Sequence, residues 1–173
     1  YEYKMIRGKD FYQFCFDAIG RHPQIELVFA EIGEVLVDAT GTKLELNNQR
    51  YELPAAIVFN SVYRPGASRL NVLQHFKGWV IETAQPVFDP TKASLMDFRV
   101  HQHEGTTFAY VLPFDAHTAL VEYTLFTPQL LAPEQYDQEL KNYIRDFLKV
   151  EDYVVKEEEF GIIPMTDEIF STQ

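Results

Sequence analysis

The sequence is poor in several residue types and patterns, and each shortage narrows the class of protein. A single cysteine, Cys15, among 173 residues excludes a disulfide framework and a cysteine-rich metal site, and it fits a reducing compartment. No apolar run approaches the roughly 20 residues that a membrane-spanning helix needs. No GxGxxG segment occurs, so the chain lacks the glycine-rich loop that holds a dinucleotide phosphate.

Positive charge is also scarce. The chain has 15 Lys and Arg against 26 Asp and Glu, which gives a net charge of −11 at pH 7. This balance argues against nucleic acid as a partner and against charge-driven attachment to an anionic membrane. By contrast, 46% of the residues are hydrophobic and 14% are aromatic, including 14 Phe and 10 Tyr. The chain is therefore long and apolar enough for a real core and for a large apolar pocket.

Two neighbouring segments, residues 106–112 and 118–126, are predicted to be paired strands. Both are rich in Thr, Val, Tyr and Phe, which fit a pleated surface. Pro113 ends the first strand because proline has no N–H to donate to a ladder. Residues 113–117 are predicted to form the turn.

Glu122 is the one charged residue in the second of these strands. Alternation places it on one face with Leu120, Thr124 and Phe126. If that face is buried, the pKa of the carboxyl group must rise or a partner must be present. Two interpretations stay open: a structural carboxylate, either solvated or paired with an arginine such as Arg99, and a proton donor or acceptor in an apolar pocket.

The remaining pattern predicts an α+β fold, a mostly antiparallel sheet with helices on one face. A first helix is expected near residues 10–19, with Asp10 as its N-cap, Gln13 completing a capping box, and Cys15 on a core-facing apolar stripe. The longest helix is predicted at residues 133–149, with Pro133 in its first turn. Further strands are predicted at residues 25–30, 33–38, 43–46, 50–53, 55–60, 72–83, 95–102 and 153–155.

Turns and polar runs divide these elements. Turns are predicted at residues 40–42, at Asn47-Asn48 and at residues 161–165, and the main break in the chain is placed within residues 61–68. The run Glu157, Glu158 and Glu159 is predicted to be solvated.

Two further features suggest sites. Trp79, the only tryptophan, follows Gly78 in a predicted strand, where a glycine often marks a bulge or the close approach of another group. Trp79 is either a core residue with a satisfied N–H or part of a pocket wall. His101 and His103 share a strand face and could hold a metal, but no third ligand follows at a fixed spacing, so no metal site is predicted.

Several segments resemble the bacterial lycopene beta-cyclases, the flavin-dependent carotenoid cyclases. They are LMDFRVHQHEGTTFAYVLPF at 95–114, ALVEYTLF at 119–126, QHFKGWVIET at 74–83, YEYKMIRGKDFY at 1–12 and EEEFGIIPMT at 157–166. The similarity runs over nearly the whole chain, and LVEYTLF and GIIPMT are its most specific parts.

The resemblance implies a flavin monooxygenase-like architecture. Residues 1–65 would belong to the flavin-binding region and residues 66–173 to the carotenoid substrate domain, together in one compact unit. It also implies an internal part of a longer protein, without the glycine-rich nucleotide-binding start and the C-terminal flavin segment. We therefore expect this chain to bind flavin weakly or not at all and to be inactive alone.

The resemblance also implies an activity. This is the proton-initiated cyclisation of the ψ end groups of lycopene to beta-rings, with reduced FAD, NAD(P)H as reductant and no net redox change. Glu122 matches the acidic residue of the family's L-(I/V)-E strand and takes the acid/base role, as donor of the first proton or acceptor of the last. Predicted carotenoid contacts are Phe108, Tyr110, Phe126 and Trp79; flavin contacts are not assigned. The expected location is the cytoplasm, peripheral to the inner membrane.

Two alternatives stay open. A flavin-dependent hydroxylase or isoprenoid reductase of the same fold would need net electron flow. A non-catalytic domain that binds apolar ligands would suit the aromatic content, although such a carrier gains nothing from a buried acid like Glu122.

Overall fold

A computed structural model describes residues 4–38, 41–53, 57–59, 61, 72–103 and 105–167. The chain divides into two compact units, Tyr1–Tyr63 and Arg64–Gln173. The sequence suggested one compact unit with a break after residue 65. The flavin-binding and carotenoid-binding roles assigned to the two parts stay predictions.

The first unit contains one helix and a three-stranded meander. Helix α1 is Gly8–Gly20, and strands β1 (Ile32–Asp38), β2 (Gly41–Leu46) and β3 (Gln49–Leu53) pair antiparallel in that order. Asn47 and Asn48 have φ angles of 51° and 63°, which suit the two-residue turn of a tight hairpin and confirm the predicted turn. Of the described residues in this unit only Thr42 is buried, so the unit has little core of its own.

The predicted start of α1 was wrong. The helix begins after Arg7, which is its N-cap with an extended backbone. Asp10 lies in the first turn, where its carboxylate contacts the Arg7 Nε at 2.7 Å. Gln13 donates to Asp17 instead of completing a capping box. Since no α1 residue is buried and Cys15 is half-buried, the predicted core-facing stripe is not found.

Of two further strands predicted in this unit, the one at 25–30 was wrong, and the described part of the one at 55–60 forms no strand. Residues 25–30 form no strand, because their backbone joins no ladder among the described residues. Residues 57–59 are not in a strand, and Ile57 and Phe59 are exposed. The rest of the segment 55–60 lies outside the described residues. Of the turn predicted at 40–42, residue 40 lies outside them too, and Gly41 and Thr42 belong to β2.

The second unit is a five-stranded antiparallel sheet with a helix on one face, which confirms the predicted fold class. Strands β4 (Val72–Glu82), β5 (Ser94–Asp97), β6 (Thr106–Pro113), β7 (Thr118–Thr127) and β8 (Val154–Met165) take the order β5-β6-β7-β4-β8. Helix α2 is Pro133–Asp146 and packs on β7 and β4. Within the ranges given above, neither helix is long and apolar enough to cross a membrane.

The β6–β7 hairpin is the one predicted from sequence. The Asp115 carboxylate accepts the backbone N–H groups of His117 and Thr118 at 2.7 and 2.8 Å, which fixes the turn. Along β7, alternate residues are fully buried against α2. These are Ala119, Val121 and Leu125, with Tyr123 nearly so. The period-two pattern therefore sets which face of the hairpin forms the core.

Helix α2 also follows its predicted stripe. Its buried residues are Tyr136, Leu140, Tyr143 and Ile144. At its start the Gln135 side chain accepts the Ala132 backbone N–H at 2.8 Å. The helix ends at Asp146, three residues before the predicted end, because Lys149 takes a left-handed φ of 59° and the Val150 N–H bonds back to the Ile144 carbonyl.

Two strand predictions in this unit need correction. The strand predicted at 95–102 ends at Asp97, where the carboxylate accepts the Arg99 N–H and turns the chain. The strand predicted at 153–155 is the twelve-residue β8. The turn predicted at 161–165 belongs to β8 as well, since Gly161 pairs with Phe76. Local pattern missed β8 because its acidic half lies on a sheet edge, where charged residues are tolerated.

Candidate functional site

The sheet register brings two carboxylates to either side of a glycine. Glu122 on β7 pairs with Gly78 on β4, and Gly78 pairs with Glu159 on β8. On β6, Tyr110 pairs with Glu122. Directly paired residues of antiparallel strands project to the same face, so these four residues form one row across the sheet.

This row lies on the face away from helix α2. The adjoining β4 residues project to the other face, where His75 contacts Tyr136 and Lys77 contacts Asp137, both on α2. Because neighbouring residues of a strand point to opposite faces, Gly78 and its paired carboxylates face away from the helix.

A glycine within a strand indicates that another group comes close to the backbone, and at Gly78 this group is the Glu159 side chain. A Cβ atom at this position would lie 2.8 Å from Glu159 Oε1 and 2.9 Å from Glu159 Cγ. It would also lie 3.1 Å from Leu120 Cδ1. The Glu159 side chain therefore lies over the glycine, in the direction of Glu122.

The environment of Glu122 favours its protonated form. Burial raises the pKa of the Glu122 carboxyl group to about 7, although a hydrogen bond from Thr124 Oγ1 at 2.7 Å lowers it. The negative charge of Glu159 raises the pKa of Glu122 further. A carboxyl group in this state can hold or release a proton near neutral pH.

Aromatic rings lie on the same face. The Phe108 ring centroid is 5.2 Å from that of Tyr110, 6.0 Å from that of Phe126 and 5.5 Å from that of Phe98. Phe108 is buried, whereas Tyr110 and Phe126 are half-buried. The structure thus brings three of the four predicted carotenoid contacts together beside Glu122; their contact with substrate stays a prediction.

Trp79 is not brought to this face. It is 4% exposed in the core beneath α2, with its ring 6.5 Å from that of Tyr153 and the Lys77 ammonium 5.8 Å from its centroid. Its Nε1 has no hydrogen-bond partner in the part of the chain that the structure describes. As the residue after Gly78 on the same strand, Trp79 necessarily projects to the opposite side.

The alternative that Arg99 neutralises Glu122 is wrong. The Arg99 guanidinium binds Asp97, with Nη2 to Oδ2 at 2.5 Å, and lies 4.9 Å from the Phe147 ring centroid. Tyr143 OH also donates to Asp97 at 2.8 Å. The Arg99 guanidinium holds the pKa of Asp97 at about 2. Arg99 therefore lies on the α2 side of the sheet, where it binds Asp97.

Sequence reasoning missed Glu159. The acidic run was predicted to be solvated, and its residues are indeed exposed, yet two of them have partners. Glu158 contacts Lys77 at 3.2 Å, while Glu159 projects to the Glu122 face. Gly78 in the β4 sequence indicated that another group comes close to this strand. Only the pairing of β4 with β8 shows that this group is the Glu159 side chain.

The histidine pair lies elsewhere. The His101 and His103 rings stack with centroids 5.3 Å apart and border a pocket of about 350 Å³ with Gln135 and Glu139. Among the described residues no group of three or more His, Cys, Asp or Glu side chains is placed to hold a metal ion.

The described residues do not fit the pyrophosphate of a flavin dinucleotide. Such a group binds at a helix N-terminus entered through a glycine-rich turn. At the N-terminus of α1 the carboxylate of Asp10 occupies the first turn and binds Arg7, and at that of α2 the first turn carries Glu134. Both negative charges oppose phosphate at these positions.

A protonatable carboxyl group beside aromatic rings on a sheet face is a site for acid–base chemistry on an apolar molecule. Comparison with known families agrees with this class. The sequence matches the family model described as Lycopene cyclase protein over residues 1–173, the whole chain, and the chain therefore belongs to the lycopene cyclase family. The family resemblance of the sequence is thereby confirmed, and with it carotenoid cyclisation as the general activity. No curated protein matches the sequence.

Proposed function

We propose that the protein is a lycopene beta-cyclase in which Glu122 carries the proton. The family supplies a carotenoid as the substrate class and cyclisation as the reaction class. The observation that supports the finer proposal is the half-buried Glu122 carboxyl group, with its pKa raised to about 7, on an aromatic face of the sheet.

The proposed reaction is an isomerisation that returns the enzyme to its starting state. The Glu122 carboxyl group transfers its proton to the terminal alkene of a ψ end group, and a carbocation forms. The electron pair of a neighbouring alkene then makes the ring carbon–carbon bond. A ring C–H finally releases its proton to the Glu122 carboxylate, so no atom is gained or lost and nothing is oxidised.

A weak acid can protonate an alkene only where the cation is stabilised in the transition state. The rings of Phe108, Tyr110 and Phe126 are proposed to supply part of this, at roughly 0.5–2 kcal/mol for each well-placed aromatic face. The Glu122 carboxylate left after proton transfer supplies an opposite charge. Exclusion of water by the apolar substrate would strengthen both interactions and protect the cation.

Cofactor and location are part of the same proposal. The complete enzyme is proposed to use reduced FAD, with NAD(P)H as its reductant, held by residues other than those described. It is proposed to work in the cytoplasm, peripheral to the inner membrane, because its hydrocarbon substrate dissolves in lipid and must enter from it.

The test is the conversion of lycopene to beta-carotene by the complete enzyme with Glu122→Gln. Glutamine keeps the size of the side chain but cannot transfer a proton at useful pH, so turnover should fall by about 10²- to 10⁴-fold. Glu157→Gln removes the same charge from the same face, opposite Val80, and should leave turnover near normal. Thermal melts check folding, and near-normal turnover by folded Glu122→Gln enzyme would make Glu122 a structural carboxylate.

The same assay separates the alternatives by product mass. A cyclase product is an isomer of lycopene, a hydroxylase adds oxygen and a reductase adds hydrogen. A binding domain without catalysis returns lycopene unchanged.

A further inference from the structure

Glu122 and Glu159 lie on either side of Gly78 in one row across the sheet, and the Glu159 side chain lies over that glycine, in the direction of Glu122. Two neighbouring carboxylates are acceptors only and repel each other when both are ionised, whereas a proton on one of them allows it to donate to the other. A pair in this position is therefore more stable with one proton than with none.

Of the three consecutive acidic residues 157–159, only Glu159 is placed where its side chain can reach toward Glu122. Glu157 is opposite Val80, whose side chain occupies the space that a glycine would leave. Glu158 projects to the α2 face and contacts Lys77. Only Glu159 is opposite Gly78, where the missing Cβ leaves room for its side chain to extend toward β7.

Among the described residues, no Lys or Arg side chain has a contact that places it at the pair. Tyr110 faces it from β6 and Thr124 from β7. On β8 the neighbouring acid on this face is Glu157, and on β4 Glu82 is paired with Lys156 farther along the strands. In the ranges that the structure describes, Lys77 and Arg99 are bound to acidic partners on the opposite face.

We propose that Glu159 is a positioning residue of the cyclisation site, whose carboxylate, laid over Gly78, shares the proton of Glu122 and keeps Glu122 in the acid form that starts the reaction. This rests on the proposed function of Glu122. Once Glu122 has given up its proton, two carboxylates face each other and the cation. Their repulsion favours return of a proton to the pair, which is the deprotonation that closes the cycle.

The direct test follows the titration of Glu122 itself. The carbonyl stretch of its protonated carboxyl group is isolated in the infrared spectrum by subtracting that of the Glu122→Gln protein. In Glu159→Gln the neighbouring charge is gone, so the midpoint of this band should move to lower pH by about one unit. Glu157→Gln is the matched control and should leave the midpoint in place.

A second variant separates the pair without removing a charge. Gly78→Ala places a Cβ 2.8 Å from Glu159 Oε1 and 2.9 Å from Glu159 Cγ, which is too close, and the φ of Gly78 is one that alanine can adopt. Because the obstructing atoms belong to the side chains of Glu159 and Leu120 and none to the backbone, Glu159 should swing aside, Leu120 should shift by a few tenths of an ångström, and the fold should survive. The Glu122 midpoint should again move to lower pH.

In the complete enzyme, the alkaline limb of the pH–rate profile reports loss of the acid form. It should shift to lower pH in Glu159→Gln by as much as the infrared midpoint, and turnover above neutral pH should fall about tenfold. An unmoved midpoint in Glu159→Gln, or an equal shift in Glu157→Gln, overturns the proposal. A shifted midpoint with an unchanged pH–rate profile overturns the positioning role alone, whereas full activity of Glu122→Gln overturns the proposed function.

Discussion

His75 is a polar side chain in the core of the second unit with a partner at each of its ring nitrogens. It is fully buried, and its Nε2 lies 2.7 Å from Thr127 Oγ1, which donates onward to the Gln129 carbonyl. Tyr136 OH lies 2.6 Å from His75 Nδ1 and accepts the Leu131 N–H. This order of donors assigns the neutral tautomer with the proton on Nε2, since Thr127 Oγ1 is left to accept.

Burial lowers the pKa of His75 below its usual 6.5, so the unfolded chain binds a proton more readily than the folded one. The stability that neutral His75 contributes is complete above pH 6.5 and is lost as the pH falls below it. We expect the free energy of unfolding to decline less between pH 8 and pH 5 in His75→Gln than in the wild type. Denaturant titrations at each pH measure this, and equal declines would contradict it.

The comparison must be made between variants, because Glu122 acts in the opposite direction. Its raised pKa means that the folded state prefers the protonated form, so the cost of ionising it is complete above about pH 7 and fades as the pH falls. His103→Gln is a suitable control, since His103 is exposed.

At the scale of elements, helix α2 is held to the sheet by apolar packing. Leu140 and Ile144 are completely buried in the cluster that includes Val121 and Leu125 of β7. Two polar contacts orient the helix on the sheet: Asp137 binds Lys77, and Tyr143 binds Asp97. Loss of buried volume on α2 should therefore affect the second unit as a whole.

Leu140→Ala should lower the free energy of unfolding by about 2–5 kcal/mol, because it removes buried methyl groups and leaves a cavity between helix and sheet. Lys141 is the next residue and is exposed, so Lys141→Ala should change the free energy of unfolding by less than about 0.5 kcal/mol. Denaturant unfolding followed by circular dichroism measures both. A loss at Leu140 as small as that at Lys141 would mean that α2 is not docked as described.

The strands show how one element can carry two functions. On β4, one face presents His75, Lys77 and Trp79 to α2, and the other presents Gly78 to the acidic pair. A substitution on one face therefore tests packing and a substitution on the other tests chemistry, within a single strand.

At the scale of the whole molecule, the chain has a net charge of −11 and lacks a glycine-rich phosphate loop. Acidic residues also occupy the first turns of both helices. We therefore expect this 173-residue chain to bind FAD weakly or not at all, even though the complete enzyme is proposed to use it. Absorbance of the purified chain, and of flavin released from it by denaturation, measures the stoichiometry. One yellow flavin per chain would contradict the expectation.

Local patterns in the sequence determined most of the second unit's elements. Alternation in residues 118–126 predicted β7 and the face of Glu122, and the apolar spacing after Pro133 predicted α2. Such patterns are readable because each element's own residues decide its period and its buried side. They failed where local preference conflicts with tertiary pairing, as in the acidic half of β8.

Only the tertiary structure decided what these elements place together. Gly78 and Glu159 are far apart in the chain, and the register that pairs them is a non-local property of β4 and β8. The same register sends Trp79 into the core, and the turn at Asp97 commits Arg99 to that carboxylate. The sequence by itself therefore determined that Glu122 is a lone acid on a strand, whereas long-range strand pairing decided that its neighbour is a second carboxylate, because register is set between segments and not within them.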